Sequence, residues 1–272
     1  MSPNHDKKFT GYIPDVYNDY FVPLLFAPYA ADIVERVAAT GAEHVLELAA
    51  GTGAVTRKLA AVLPASASIT ATDLNQPMLD RAARSIKSGR AITWRQADAM
   101  QLPFADESFD AVVCQFGVMF FPGKAEAFAE AHRVLQPGGV FIFNVWDRIE
   151  ENELAAIVMD TMARRFPDNP AAFFARTPHG YYDRDMIARD LAAGKFEGTP
   201  EMVTIALRAR AASAHDVAVG FCQGSPLRNE IEERTPGGVD AATEACAAAI
   251  AARFGRGSID AKMQAHIITV RK

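Results

Sequence analysis

Three acidic residues surround a glycine bend early in the chain, and their spacing suggests a nucleotide-type ligand. The segment Val45–Ala60 (VLELAAGTGAVTRKLA) passes from a short β-type run through Gly51 and Gly53 into a helical pattern. Two glycines let the backbone turn sharply and approach a ligand where a Cβ would collide. The helix that follows aims free N–H groups and the positive end of its dipole at the same place. Asp73 stands 20 residues after Gly53, at the end of the next β-type run. From there an ionised carboxylate can accept both hydroxyl hydrogens of a ribose. Asp98 follows the third run, where it could accept from an adenine amine while the Ala99 N–H meets a ring nitrogen. Glu47, within the glycine segment, would repel a pyrophosphate and favour a cationic group. Thr56 occupies the place where a dinucleotide site wants a third small residue. The expected cofactor therefore carries adenosine at one end and positive charge at the other. An NAD(P)-dependent oxidoreductase on a similar sheet and a non-catalytic cofactor-binding protein remain the alternatives.

Residues for an acceptor lie further along. On an open α/β sheet ligands bind beyond the carboxyl ends of the strands, where the strand order reverses. That places Gln115, Phe116, Trp146 and Asp147 near the chemistry. The aromatic segment Tyr12–Tyr29, with Tyr12 and Tyr20, is expected to fold over the cofactor as a lid. The segment Thr177–Ile187 (TPHGYYDRDMI) supplies Tyr181, Tyr182 and His179, the candidate general base if the acceptor must lose a proton. Asp183 reads as a helix cap. Phe residues within Ala171–Ala175 suggest an apolar acceptor chamber. His5, His44, His132, His215 and His266 are scattered, and neither H-x-x-x-H nor C-x-x-C occurs, so no metal is expected. No G-x-S-x-G elbow supports a hydrolase.

The elements that must position these groups follow from periodicity. His44–Leu48, Ser68–Thr72, Ile92–Arg95, Phe109–Cys114 and Val140–Trp146 read as strands, alternating with helices over Ala54–Leu63, Gln76–Lys87 and Lys124–Leu135. Strands apolar on both faces and separated by helices imply a doubly wound α/β sheet, parallel and covered on both sides. Pro77 suits the first turn of its helix, and Pro137-Gly138-Gly139 is expected to close another before the next strand. Beyond residue 147 the spacing predicts helices over Glu150–Phe166, Asp183–Ala193 and Asp240–Phe254. A loop is expected at Pro167–Pro178, and strands at Met202–Arg210 and Ala265–Val270. One domain is expected, divided into a lid (1–40), a cofactor core (41–147), helical cap segments (148–200 and 211–258) and last strands (201–210 and 262–271).

Composition narrows the setting. The chain has 272 residues, half of them apolar, and a formal net charge of −5. It therefore has ample material for a core and no basic footprint for nucleic acid. Three widely spaced cysteines (Cys114, Cys222, Cys246) fit a reducing compartment. The opening MSPNHDKKFT lacks an apolar leader, and no long uninterrupted apolar run appears, so a cytoplasmic protein without stable membrane insertion is expected. Oligomeric state leaves no mark on the sequence.

Four segments together resemble the class I S-adenosylmethionine-dependent methyltransferases, in particular the ubiquinone/menaquinone-biosynthesis and type 11 small-molecule branch. They are LELAAGTG (Leu46–Gly53), ATDLNQPML (Ala71–Leu79), ADAMQLPFADESFDAVVCQFGVMFF (Ala97–Phe121) and EAHRVLQPGGVFIF (Glu130–Phe143). The resemblance implies a three-layer, mostly parallel seven-stranded Rossmann-like sheet with an N-terminal helical lid and an insertion in the C-terminal half. It implies S-adenosylmethionine as cofactor, S-adenosylhomocysteine as product, and a small-molecule acceptor that is quinone-like, lipid-like or a secondary metabolite. By the same resemblance Glu47, Ala49, Gly51 and Gly53 line the methionine portion. Asp73 holds the ribose, Leu74 packs on adenine, Asp98 and Ala99 meet the adenine edge, and Gln115 lies below the sulfonium. The family often has glycine where this chain has Ala49; an alanine fits if its φ is negative. Gly123 stands where relatives often carry Asp, so a side-chain cap is missing there.

Overall fold

Central strands in this chain are apolar on both faces, and burial explains why. The structure, a computed structural model, describes residues 13–86 and 89–272. In chain order the elements are α1 (Ile13–Val16), a π-helical stretch Tyr17–Phe26, α2 (Ala27–Ala39), β1 (His44–Leu48), α3 (Ala54–Val62), β2 (Ser68–Asp73), α4 (Gln76–Ser85), β3 (Ile92–Gln96), β4 (Phe109–Gln115), α5 (Lys124–Val134) and β5 (Leu135–Trp146). Then come α6 (Glu153–Arg165), α7 (Phe173–Arg176), α8 (Arg184–Ala193), β6 (Glu201–Ala211), α9 (Ala214–Gln223), α10 (Leu227–Arg234), α11 (Val239–Phe254) and β7 (Ile259–Arg271). The seven strands form one sheet in the order β3-β2-β1-β4-β5-β7-β6. Strands β1 to β5 pair in parallel. All of β1 after His44 is buried, whereas the edge strand β3 is half exposed, as its alternating Thr93 and Arg95 require.

The chain leaves β1 through β2 to β3 on one side, then returns to place β4 on the other side of β1. The order therefore reverses between β1 and β4, and their carboxyl ends form the crevice where such sheets take ligands. Parallel neighbours need crossover helices, and α3 and α4 supply two of them.

Two compact units share the chain. One takes Tyr29–Val145, Tyr181–Ile205 and Ala265–Lys272; the other takes 13–28, Trp146–Gly180 and Ala206–Gln264. The sequence expectation was one domain bearing an insertion. The first unit holds β1 to β4 and nearly all of β5, with Ala50, Ala71 and Leu79 packed against Ile92 and Trp94. The second is largely helical. Its core is aromatic: Phe21 meets Phe221 at 4.9 Å and Phe174 at 6.1 Å, and Phe174 meets Phe221 at 5.0 Å between ring centroids.

Two local departures have clear causes. Pro23 has no N–H to donate, and the helix around it widens, with the Ala27 N–H reaching the Val22 carbonyl. Pro137-Gly138-Gly139 does not close a helix ahead of the strand. Helix α5 ends at Val134, β5 begins at Leu135, and the three residues form an irregularity inside that strand. Gly138 is left-handed there (φ +79°), and the β4–β5 register shifts between Phe109 and Ala111. The Gly138 N–H donates to the Lys272 carbonyl, and the Lys272 N–H to that of Gly139, which ties the bulge to the chain terminus.

Candidate cofactor site

The bend after β1 is built from backbone geometry before any side chain contributes. Ala49, Gly51 and Gly53 all have positive φ, at +52°, +56° and +81°. For glycine this costs little, but for alanine a left-handed conformation costs roughly 1–2 kcal/mol. The condition under which alanine replaces the family's glycine without strain is therefore not met, and the loop carries strain at its first position. A Cβ on Gly53 would stand 2.6 Å from Ile86 Cδ1 and 3.1 Å from Ala82 Cβ, so that glycine also makes room for the packing of α4.

Asp73 closes the bend from the neighbouring strand. Its Oδ2 accepts the Gly51 N–H at 2.9 Å and its Oδ1 accepts the Asn75 N–H at 2.8 Å. Burial raises its pKa, while the donated N–H groups oppose that shift. Oδ1 also accepts from Asn75 Nδ2 at 3.4 Å, which leaves Oδ2, with one bond described, as the oxygen able to accept from a ligand hydroxyl. Leu74, the next residue, is 45 % exposed, unusual for a leucine beside a buried acid. Asp98 is partly buried and its Oδ1 accepts the Met100 N–H at 2.9 Å; Ala99 beside it is buried.

Glu47 behaves differently from its sequence expectation. It lies buried inside β1 with Oε2 accepting the Thr56 hydroxyl at 2.6 Å. Burial pushes its pKa up to about 8, so near neutrality the side chain is largely protonated. The negative charge expected to turn away a pyrophosphate is mostly absent, and Thr56 is bonded to this acid instead of marking a mere missing glycine.

Residues without an obvious signal also shape the bend. Thr52 is buried and its Oγ1 has no hydrogen-bond partner among the described residues. An orphaned hydroxyl inside a glycine loop carries a desolvation penalty that a bound ligand could relieve. Together with the Asp73 carboxylate and the exposed Leu74 face, this donor set fits a nucleoside whose ribose and base lie over β1 and β2. Asn144 interrupts the apolar run VFIFNVW, the one hint available in sequence. Its Oδ1 accepts the Phe116 N–H at 2.8 Å. Gln115 is partly buried at the end of β4, and Phe116 is buried edge-on to Tyr29 at 5.3 Å.

Several sequence candidates are occupied with holding the fold. In the helical unit His179 is buried, with Nδ1 2.8 Å from the Asp147 carbonyl oxygen. A carbonyl only accepts, so Nδ1 carries the proton. Burial also drives the imidazole pKa down to about 4, which makes His179 a weak base. His179 thus holds the Asp147 carbonyl through one ring nitrogen. Asp147 is likewise buried: Oδ1 accepts the Arg148 N–H and Oδ2 accepts from Gln264 Nε2, both at 2.7 Å. Its carboxylate organises the end of β5. Trp146 is buried against Phe26 at 6.1 Å and His179 at 5.9 Å. Phe173 and Phe174 are buried in that unit, edge-on to each other at 4.9 Å. Tyr20 is 40 % exposed in the same unit. In the sheet unit Tyr181 is buried and donates its hydroxyl to Asp190 Oδ2 at 2.6 Å, which leaves it bound within the protein instead of presented to an acceptor. Tyr12 lies outside the described residues.

Comparisons with known proteins agree with this geometry. Residues 46–143 match the family described as a methyltransferase domain. Over 128 residues the chain is 33 % identical to the ubiquinone/menaquinone biosynthesis C-methyltransferase UbiE of Paracoccus denitrificans, covering 46 % of this chain and 51 % of that protein. Over 98 residues it is 41 % identical to the demethylmenaquinone methyltransferase of Lactiplantibacillus plantarum, covering 35 % and 41 %. The match thus spans about half the length of these curated relatives, or less. Among solved structures, the Haemonchus contortus phospholethanolamine N-methyltransferase 2, in complex with phosphomonomethylethanolamine and S-adenosylhomocysteine, shares the fold. Its TM-score is 0.62 at 15 % identity, covering 100 % of this chain and 61 % of that one. Sheet order, left-handed bend and matched segment converge on one part of the chain: residues 46–143 are similar to a methyltransferase domain, on a sheet shared with a methyltransferase structure.

Proposed function

We propose that the chain transfers a methyl group from S-adenosylmethionine to a small, partly hydrophobic acceptor. The observation that carries this reading is the left-handed bend Ala49–Gly53, closed by Asp73 at the crevice of the sheet with a buried, orphaned Thr52 hydroxyl inside it. When bound, the cofactor supplies a methyl on a sulfonium, already activated because the leaving group is a neutral thioether. The chain's part is then alignment, which can be worth roughly 7–11 kcal/mol without a dedicated base. In this reading Asp73 accepts the ribose hydroxyls, Leu74 covers one adenine face, and Asp98 with the Ala99 N–H meets the adenine edge. Glu47, Ala49, Gly51 and Gly53 surround the methionine portion, and Gln115 lies under the sulfonium. Ionisation of Glu47 on meeting the positive end of the cofactor would supply charge balance there.

The names of the two curated relatives support a quinone-type acceptor, and the proposal takes that class first. Among the described residues no helix is long and apolar enough to cross a membrane. The three cysteines are buried thiols, which supports placing the protein in a reducing, cytoplasmic setting. Calorimetry with S-adenosylhomocysteine and with NAD(P) tests the cofactor: saturable binding of the first and no response to the second is expected. Transfer of labelled methyl from S-adenosylmethionine to a panel of quinone precursors, lipids and amines tests the reaction. Tight NAD(P) binding without S-adenosylhomocysteine binding would overturn it in favour of an oxidoreductase.

A further inference from the structure

Four non-glycine residues among those described have left-handed backbone, and two of them, Ala49 and Phe116, end neighbouring strands. Leu48 pairs with Cys114, so the turns after β1 and β4 lie side by side where the strand order reverses. Gly117 is where they meet. A Cβ on it would stand 2.5 Å from Ala49 Cβ and 2.7 Å from Cys114 Sγ, so the two turns close on each other only because no side chain intervenes. A bulky residue does not hold φ near +50° on its own, and the structure shows what holds this one. The Phe116 N–H is shared between Asn144 Oδ1 at 2.8 Å and the Asn144 carbonyl at 3.2 Å. Asn144 is fully buried opposite Gln115 in the β4–β5 register, and its Nδ2 has no acceptor among the described residues. An amide that leaves one donor unsatisfied in an apolar strand costs more than an apolar side chain unless its other end is needed.

We propose that Asn144 is a positioning residue for the cofactor loop: by clamping Phe116 it seats Gly117 against Ala49 and holds the bend Ala49–Gly53 in its receiving shape. The clamp acts through two strained turns and touches no reacting atom. The inference rests on the proposed S-adenosylmethionine site, so its readout is affinity for S-adenosylhomocysteine by calorimetry on the full chain.

Asn144→Ala is expected to weaken binding about tenfold, in line with loss of one buried hydrogen bond. In an Ala49→Gly background the same change should weaken binding less than threefold, because glycine adopts the left-handed conformation without support. A general loss of stability would act equally in both backgrounds, and so would overturn the proposal, as would unaltered affinity of Asn144→Ala. Should Asn144→Ala not fold, Gly117→Ala reads the same coupling. It is expected to weaken binding at least tenfold and to recover in part when Ala49→Gly removes one of the clashing carbons; no recovery overturns the clamp. A wild-type chain that binds no S-adenosylhomocysteine defeats the proposed function itself, a result separate from any of these.

Discussion

The two units of this chain handle their polar groups in opposite ways. In the sheet unit, backbone conformation shapes the proposed site, and one buried hydroxyl inside its bend is left without a partner among the described residues. Asp73 ties the bend together by accepting from the Gly51 and Asn75 N–H groups and from Asn75 Nδ2, whereas the Thr52 hydroxyl has no partner among the described residues. In the helical unit, the residues whose types suggest chemistry are spent on structure. His179 braces a carbonyl, Asp147 is bonded through both oxygens, and Glu230 accepts from Arg176 and from the Ala172 N–H. Residue type alone does not separate a site from a scaffold. An orphaned buried hydroxyl such as that of Thr52 is the feature that points to a ligand here.

The largest effect that could break this contrast is at Asp73. Asp73→Ala is expected to reduce S-adenosylhomocysteine affinity at least a hundredfold, about 2.7 kcal/mol or more, measured by calorimetry. It removes both a ligand acceptor and the partner of the Gly51 N–H.

Next come two titrations of opposite sign. The folded pKa of Glu47 is raised to about 8 from an ordinary 4.5, so its stabilising contribution is fully present below the unfolded value and is lost as pH rises through about 8. Glu47→Gln should therefore make thermal stability flatter between about pH 4.5 and 8, and higher than wild type at the upper end. His179 is depressed to about 4 from 6.5. Its contribution is present above the unfolded value and lost as pH falls through about 4, a swing on the order of 3 kcal/mol. His179→Gln should remove that acid-side loss in melting curves from pH 7 to 4. It should also leave the rate of methyl transfer within twofold; a tenfold loss of rate at unchanged S-adenosylhomocysteine affinity would return His179 to the functional side.

Smallest is the cap of α8. Asp183 accepts from the Asp185 and Met186 N–H groups at 2.9 Å each. Asp183→Ala should cost about 1 kcal/mol in denaturant unfolding and leave cofactor affinity unchanged.

The nucleotide half was readable because its instructions are local. Val45–Ala60 combines a buried strand, the small residues Ala49, Ala50, Gly51 and Gly53, and a helix start in one short segment, and each element is specified by neighbours in sequence. The Asp183 cap and the limits of β1 follow from the same short-range rules. By contrast His179 looked chemical because a loop histidine beside two tyrosines carries no record of what will surround it. The Asp147 carbonyl that meets it is 32 residues away. The Tyr181 hydroxyl finds its partner much nearer, at Asp190 on α8.

Order of apolar runs and glycine placement were enough, by themselves, to specify the parallel strands and the bend after the first of them, because strand and turn formation depends on near neighbours. Which acids stay charged, which alanine accepts left-handed strain and which histidine is consumed as a brace depended on burial and on partners far along the chain. Desolvation and hydrogen-bond pairing exist only after distant segments meet, so tertiary structure alone decided them.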